Sequence, residues 1–241
     1  DLCDELGLCV WNEGIGWQHT TEHLSDARFI EAQLAHLREM VAMSRNHPSV
    51  ILWGALNEGH SQEEAARPGY ERLLGELRAL DNTRPVTFAS MFGHSDRCFD
   101  LADVVSVNTY PGWYQHELED IPLELERLLA HLERTQPEKP VIISEIGAAA
   151  VLGCHELGGG RWTEEYQARL LEAVIAKLFE QDRVAGLAIW QYCDTRTTDR
   201  LSTVLGKPRG YNNKGLLDEY RRPKLAYGAV RRAFHLLKKR T

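Results

Sequence analysis

Two acidic residues stand where chemistry would need them. Glu58 follows the apolar run "VILWGALN" and Glu145 follows "VIIS", so a carboxylate ends each run, with the carboxamide of Asn57 beside the first. Two carboxylates facing one pocket are the equipment of glycoside hydrolysis, one protonating the leaving oxygen while the other attacks the anomeric carbon or activates water. Aromatic residues at the ends of other apolar runs, Tyr110, Trp113, Tyr114 and Trp190, suit the apolar faces of a sugar ring. The pattern leaves a second reading open, because strand-end acids also cap helices and pair with arginines.

Glu58 and Glu145 are far apart in sequence, so only a fold that gathers strand ends can bring them together. Short apolar runs alternate with stretches of helical period, the sequence sign of parallel βα units. The runs at 8–11, 50–53, 86–89, 104–107, 141–144 and 187–190 read as strands, near-continuously apolar as strands covered on both faces are. Segments 29–45, 63–80, 123–135, 163–180 and 224–239 read as helices, with apolar positions three and four apart such as Leu34, Leu37 and Val41. Thr163 before Glu164-Glu165 is an N-cap with acids in the first turn. Residues 90–103 read as irregular or a single turn, and Gly158-Gly159-Gly160 as a surface loop. Polar residues follow the strands in turn: Asn12-Glu13, Asn57-Glu58, Asn108, Glu145, then Gln191 and Asp194. In a (β/α)₈ barrel the active site is built from such strand ends.

Composition narrows the alternatives. The 241 residues fit one large domain of barrel type, with no linker or repeat to suggest a second. The net charge of −7 and the lack of a basic stripe interleaved with aromatics argue against a nucleic-acid partner. The one dense basic cluster, from Arg231-Arg232 to Lys238-Lys239-Arg240, reads as the solvated end of a terminal helix. No apolar run reaches the length of a membrane span, so no membrane partner is expected. The five cysteines are scattered without zinc-site spacing and read as ordinary thiols. His116 has no second ligand at a plausible spacing, and no Gly-x-Ser-x-Gly elbow is present. No metal or cofactor is expected. The sequence does not fix the compartment, with the cytoplasm favoured.

The segment "RNHPSVILWGALNEG" resembles the acid/base signature of glycoside hydrolase family 2, in which Asn-Glu ends barrel strand 4. "KPVIISEIGA" is similar to its nucleophile segment at the end of strand 7, and "DNTRPVTF" and "GLAIWQYCD" to its strands 5 and 8. The resemblance runs from Asp1 to about Phe234, with motif order and spacing kept. It implies a TIM (β/α)₈ barrel and a retaining β-glycosidase, with Glu58 as general acid/base and Glu145 as nucleophile. Asn57 would then bind the sugar 2-hydroxyl, Tyr110 would sit against the nucleophile, and Trp190 would contact substrate. A retaining mechanism needs the two carboxyl groups about 5 to 5.5 Å apart.

Within the family the β-glucuronidase branch is the most similar. "NTYPGWY" and "TEEYQ" resemble its strand 6 and helix 7 segments, and "GYNNKGLLDEYRRPK" its loop where an Asn-x-Lys pair grips the uronate carboxylate. Here that pair would be Asn212 and Lys214. An ammonium and an amide donor make charge-assisted hydrogen bonds to a carboxylate, whereas a neutral hexose would leave the lysine unpaired. The implied reaction is hydrolysis of terminal β-D-glucuronides by double displacement on a small-molecule glycoside. The alternatives are β-galactosidase-type activity and a silent sugar-binding fragment. Asn-Asn-Lys-Gly is also turn chemistry, and Lys214 could be one more cation of a basic loop with Lys207, Arg209, Arg221 and Arg222. Arg209 is a second candidate carboxylate ligand, offset by one residue from the family's arginine.

The chain departs from that branch at Gln191-Tyr192-Cys193 after strand 8 and at Gly54-Ala55-Leu56 before Asn-Glu. Glu13 reads as a structural acid, Asp194 as an orienting residue or partner of Arg196, His47 as a packed histidine, and His155 as a candidate pocket residue. "DLCDELGLCVWNE" resembles the end of helix 2 and strand 3 of the family, so residues 1–241 read as the C-terminal part of the barrel domain, holding strands 3–8. Strands 1 and 2 and the family's β-sandwich domains are expected upstream. An open barrel exposes strand edges and apolar surface, and the full-length protein is expected to be a homo-oligomer.

Overall fold

In a computed structural model, residues 1–197 and 206–237 are described. The basic residues Lys238, Lys239 and Arg240 lie outside the described residues. The chain divides into two compact units, Asp1–Asn108 with His131–Ile142, and Thr109–Ala130 with Ile143–Thr241.

The first unit is built on four strands, β1 (Val10–Glu13), β2 (Val50–Asn57), β3 (Val86–Ser90) and β4 (Val105–Asn108). They lie side by side in sequence order and pair in parallel. Parallel neighbours need crossovers. These are α3 (Ala27–Ser44) and α4 (Arg67–Leu80), the latter entered through a 3-10 turn at Glu64–Ala66, and the Phe99–Leu101 turn before β4. Two short helices, α1 (Leu2–Leu6) and α2 (Thr21–Ser25), complete the segment before α3. The helix expected over 63–80 starts late because Pro68 is tolerated only in a first turn, where its missing N–H costs nothing. Helix α2 was not legible as a periodic segment; it is nucleated by Thr20, whose hydroxyl accepts from His23 N while the His23 ring accepts from Thr20 N.

The core of this unit follows the predicted periodicities. Ile30, Leu34, Leu37 and Val41 of α3 and Tyr70, Leu73, Leu74 and Leu77 of α4 are buried, with Leu52, Trp53, Ala55 and Leu56 of β2. Each buried leucine, isoleucine or valine among them contributes about 1.5–3 kcal/mol relative to leaving it in water. Trp53 carries a polar atom into the core, and its Nε1 donates to Asp81 Oδ2 at 3.0 Å. The Arg84 guanidinium pairs with the same oxygen at 2.6 Å and lies over the indole ring. The segment "DNTRP" is thus the lock at the foot of β2 and β3. Gly54 explains one departure noted above, since a β-carbon there would meet Trp11 Nε1 at 2.1 Å and Glu13 Cγ at 2.9 Å.

The second unit contains α5 (Ile121–Thr135) up to Ala130, most of β5 (Val141–Ile146), α6 (Glu164–Leu178), β6 (Val184–Ile189) and α7 (Leu225–Leu237). Strands β5 and β6 are neighbours, and Trp190 N donates to Ile146 O at 2.9 Å. The Trp190 carbonyl lies where the β-carbon of residue 147 would be, 2.2 Å away, so glycine there is a requirement of packing. Thr163 caps α6 as expected, its hydroxyl accepting from Tyr166 N at 3.1 Å. Two-residue strands β7 (Thr195–Arg196) and β8 (Tyr211–Asn212) form an antiparallel pair that gave no sequence signal. The loop 158–160 is a loop as expected, although Gly159 is buried. All five cysteines are free thiols.

Candidate active site

The two glutamates occupy different kinds of surroundings, one in each unit. Strand β2 runs to Asn57, four residues beyond the expected end, so Glu58 is the first residue to leave it. It does so at φ 52°, in the left-handed region that side chains with a β-carbon rarely adopt. Such a conformation costs on the order of 1–3 kcal/mol and persists when its surroundings over-determine it. Here Glu58 N donates to Ala89 O at 2.8 Å, while Gln18 N donates to Asn57 O at 3.0 Å.

The carboxylate of Glu58 is almost buried and is held by uncharged donors. Trp17 Nε1 reaches Oε2 at 2.6 Å, with Gln18 Nε2 at 3.4 Å from the same atom. Asn108 Nδ2 reaches Oε1 at 2.9 Å and also donates to Asn57 Oδ1 at 2.9 Å, tying Asn57 and Glu58 together. Trp17 was not foreseen: it lies in a loop and stays 64% exposed, so no apolar pattern marks it. Asn108 was visible only as a polar strand end.

Glu145 belongs to the second unit and is half-buried. Its Oε2 accepts the Tyr110 hydroxyl at 2.6 Å, and its carbonyl accepts Thr109 N at 2.9 Å, so the segment after β4 is fastened to the end of β5. Tyr110 and Glu145 are thus direct hydrogen-bond partners. The same tyrosine ring lies 5.4 Å from Lys214 Nζ, with Trp113 at 5.7 Å and Tyr114 at 4.7 Å, and the Tyr114 hydroxyl accepts from Nζ at 2.7 Å. Lys214 is therefore no solvated loop cation. It is 6% exposed, and among the described residues no carboxylate lies within 4 Å of its ammonium. Burial pulls its pKa down to about 8, against the opposing influence of the Glu145 charge.

Lys214 lines a cavity of about 250 Å³ together with Asn212, Trp113, Tyr114, Arg161 and Trp162 among others. Asn212 Oδ1 accepts from Lys214 N at 3.3 Å, so the Asn-x-Lys segment closes on itself in a turn. The turn chemistry and the lysine pocket are thus one feature. Arg161 and Trp162 gave no sequence signal; the indole of Trp162 meets that of Trp113 edge-on at 5.0 Å. Trp190 is 39% exposed at the end of β6 and is not among the residues that line the cavity.

The other residues singled out in the sequence have partners of their own. Arg209 forms an ion pair with Glu219 and stacks over Tyr211, so its charge is already satisfied. His155 is exposed and bonds Glu165 at 2.7 Å, which raises its pKa. His47 bonds Asp4 at 2.6 Å rather than being merely packed. Asp194 pairs with Lys224 at 2.8 Å, a partner that sequence reasoning did not name. Among the described residues no helix is long and apolar enough to cross a membrane.

The model for glycosyl hydrolases family 2, TIM barrel domain, matches residues 1–239. A β-glucuronidase of Rattus norvegicus is 34% identical over 242 residues, 97% of this chain and 36% of the relative. One of Sus scrofa is 32% identical over 245 residues, covering 100% of this chain and 37% of the relative. The chain thus spans little more than a third of the curated relatives it matches. Among solved structures, a GH2 β-galacturonidase from Eisenbergiella tayi bound to galacturonate superposes with a TM-score of 0.91 at 37% identity, over 97% of this chain and 42% of that one. An uncultured Clostridium sp. β-glucuronidase gives 0.89 at 30% identity, over 97% and 41%.

Proposed function

The chain belongs to glycosyl hydrolase family 2, and from that premise we propose that its protein is a retaining β-glycosidase that hydrolyses terminal β-D-glucuronides. The observation that carries the uronate reading is Lys214, a buried ammonium in a cavity, held by aromatic faces and a phenol, with no protein carboxylate within 4 Å among the described residues and only the more distant charge of Glu145 acting on it. Burying a cation is costly unless an anion joins it. A ligand carboxylate is that anion, with Asn212 as the amide donor beside it.

In the proposed reaction, Glu145 attacks the anomeric carbon while Glu58 gives its proton to the departing glycosidic oxygen. The products of this first step are a free aglycone alcohol and a glycosyl ester on Glu145. Glu58, now a carboxylate, takes a proton from water as that water attacks the same carbon, releasing Glu145. Two inversions give net retention. Tyr110, bonded to Glu145 Oε2, orients the nucleophile and stabilises its negative charge before attack.

Chromogenic β-D-glucuronide, galacturonide, glucoside and galactoside, offered to the protein side by side, test the reading. Turnover of the glucuronide that is lost in Glu145→Gln supports it, whereas turnover of neutral glycosides alone overturns the uronate claim. A second reading is favoured by one finding, the 37% identity to a galacturonidase. The environment of Lys214 addresses the carboxylate, which both uronides carry, and the galacturonide arm decides between them. A protein inert on all four would be a silent sugar-binding relative.

A further inference from the structure

Among the described residues of the second unit, Lys224 is the most completely buried ammonium that forms an ion pair, and it has no part in the proposed reaction. Its side chain and that of Asp194 are 0% and 1% exposed. Nζ donates to Asp194 Oδ1 at 2.8 Å, to Ala150 O at 2.6 Å and to Asn213 O at 3.0 Å, three acceptors for three N–H bonds. Those acceptors come from three different segments: the loop five residues past Glu145, the loop four residues past Trp190, and the residue between Asn212 and Lys214.

The same turn is gripped at its other groups. Asp194 Oδ1 accepts from Gly215 N at 2.9 Å. Gln167, fully buried on α6, donates from Nε2 toward Lys214 O at 3.3 Å and Gly215 O at 3.1 Å, and to Ala148 O at 2.8 Å. Leu216 N and Leu217 N complete the frame on Gln191 O and Tyr192 O, each at 3.0 Å. Gly215 fits because a β-carbon there would come within 2.4 Å of Asp194 N, Leu217 O and Cys193 C. A short turn whose carbonyls are bound from behind by a buried ammonium and a buried amide has little freedom left. Burial alone pushes Asp194 up and Lys224 down, so each charge is sustained by the other.

We propose that Lys224, paired with Asp194, is a positioning residue that sets the Asn212-Asn213-Lys214 turn and thereby governs affinity for the uronate carboxylate. The proposal rests on the glucuronide reading for its kinetic expression but not for its structural one. Removing both charges together in Asp194→Asn/Lys224→Met avoids stranding either, and Gln167→Leu loosens the turn without touching charge.

In the double variant, KM for the glucuronide is expected to rise roughly tenfold or more, as misaligned charge-assisted bonds would require, with kcat within about threefold. Gln167→Leu is expected to shift KM in the same direction by less. Hydrogen exchange read over residues 211–217 is expected to speed up in both variants. A folded double variant with lower thermal stability but unchanged KM would show that the pair is only structural. If the double variant does not fold, Lys224→Gln takes its place, and unaltered exchange over 211–217 there overturns the proposal. An unmodified protein that cleaves no uronide would sink the functional reading instead, leaving the exchange experiment to judge the positioning role.

Discussion

The surroundings of Glu58 and of Glu145 differ in how charge is handled. Glu58 is held by neutral donors, an indole and two carboxamides, at a backbone angle that costs energy. Glu145 is held by a phenol and has a cation, Lys214, as the counterweight in its own unit. A carboxyl group that must give and retake a proton is served by donors that can bind it in either state. One that must stay charged until it attacks is served by a nearby positive charge. The contrast fits the proposed roles of the two glutamates, and substitutions at each can separate them.

The largest effect is expected from the two glutamates. Glu145→Gln should reduce glucuronide turnover on the order of 10⁴-fold or more with every leaving group. Glu58→Gln should cost about 10²–10⁴-fold for a poor leaving group and far less for an activated aryl glycoside, whose departure needs no proton. Steady-state rates on a series of aryl glucuronides separate the two. Equal sensitivity of both variants to the leaving group would break the contrast.

Next comes the cation. Lys214→Met should raise KM for glucuronides about 10- to 100-fold, as a lost charge-assisted hydrogen bond of roughly 1.5–3 kcal/mol predicts, with a smaller change in kcat. The same residue gives a pH signature with two opposite signs. Its folded pKa of about 8 lies below the ordinary 10.5. The charged form is therefore the costly one in the folded protein, so its destabilising effect is complete below about pH 8 and fades as pH rises toward 10.5. Uronide affinity runs the other way: KM should climb as pH passes about 8, because the ammonium is lost. The climb should vanish in Lys214→Met, and KM profiles from pH 6 to 10 check it.

The smallest effect is expected from Trp17→Phe, which removes one donor from Glu58 while leaving Asn108 in place. Because Trp17 is largely exposed, the loss should sit at the low end for a hydrogen bond to a charged group, roughly tenfold in kcat/KM. A loss as large as that of Glu58→Gln would mean that the indole is part of the proton-transfer machinery.

Much of the fold was legible because its signals are local. Leu34, Leu37 and Val41 announce the buried face of α3, and Thr163 with two acids announces the start of α6. Glu58 and Glu145 were legible as acids ending apolar runs, and Asn212 and Lys214 through a family resemblance. What stayed hidden depends on distant partners. Trp17 becomes a ligand of Glu58 only because its loop passes the end of β2, and Lys224 looks like one more basic residue until Asp194, Ala150 and Asn213 surround it. The ion pair of Arg209 was hidden for the same reason, since its partner Glu219 lies ten residues on.

Position 147, where the Trp190 carbonyl occupies the space of a side chain, has a consequence for how this sequence can vary. In a library of single substitutions, alanine, ordinarily the mildest exchange, should be purged there as thoroughly as tryptophan. Gly75, on α4 with nothing within 4 Å of its would-be β-carbon, should tolerate nearly every residue and gain about 0.5–1 kcal/mol from alanine. Two glycines of the same chain would then stand near opposite ends of its mutational spectrum.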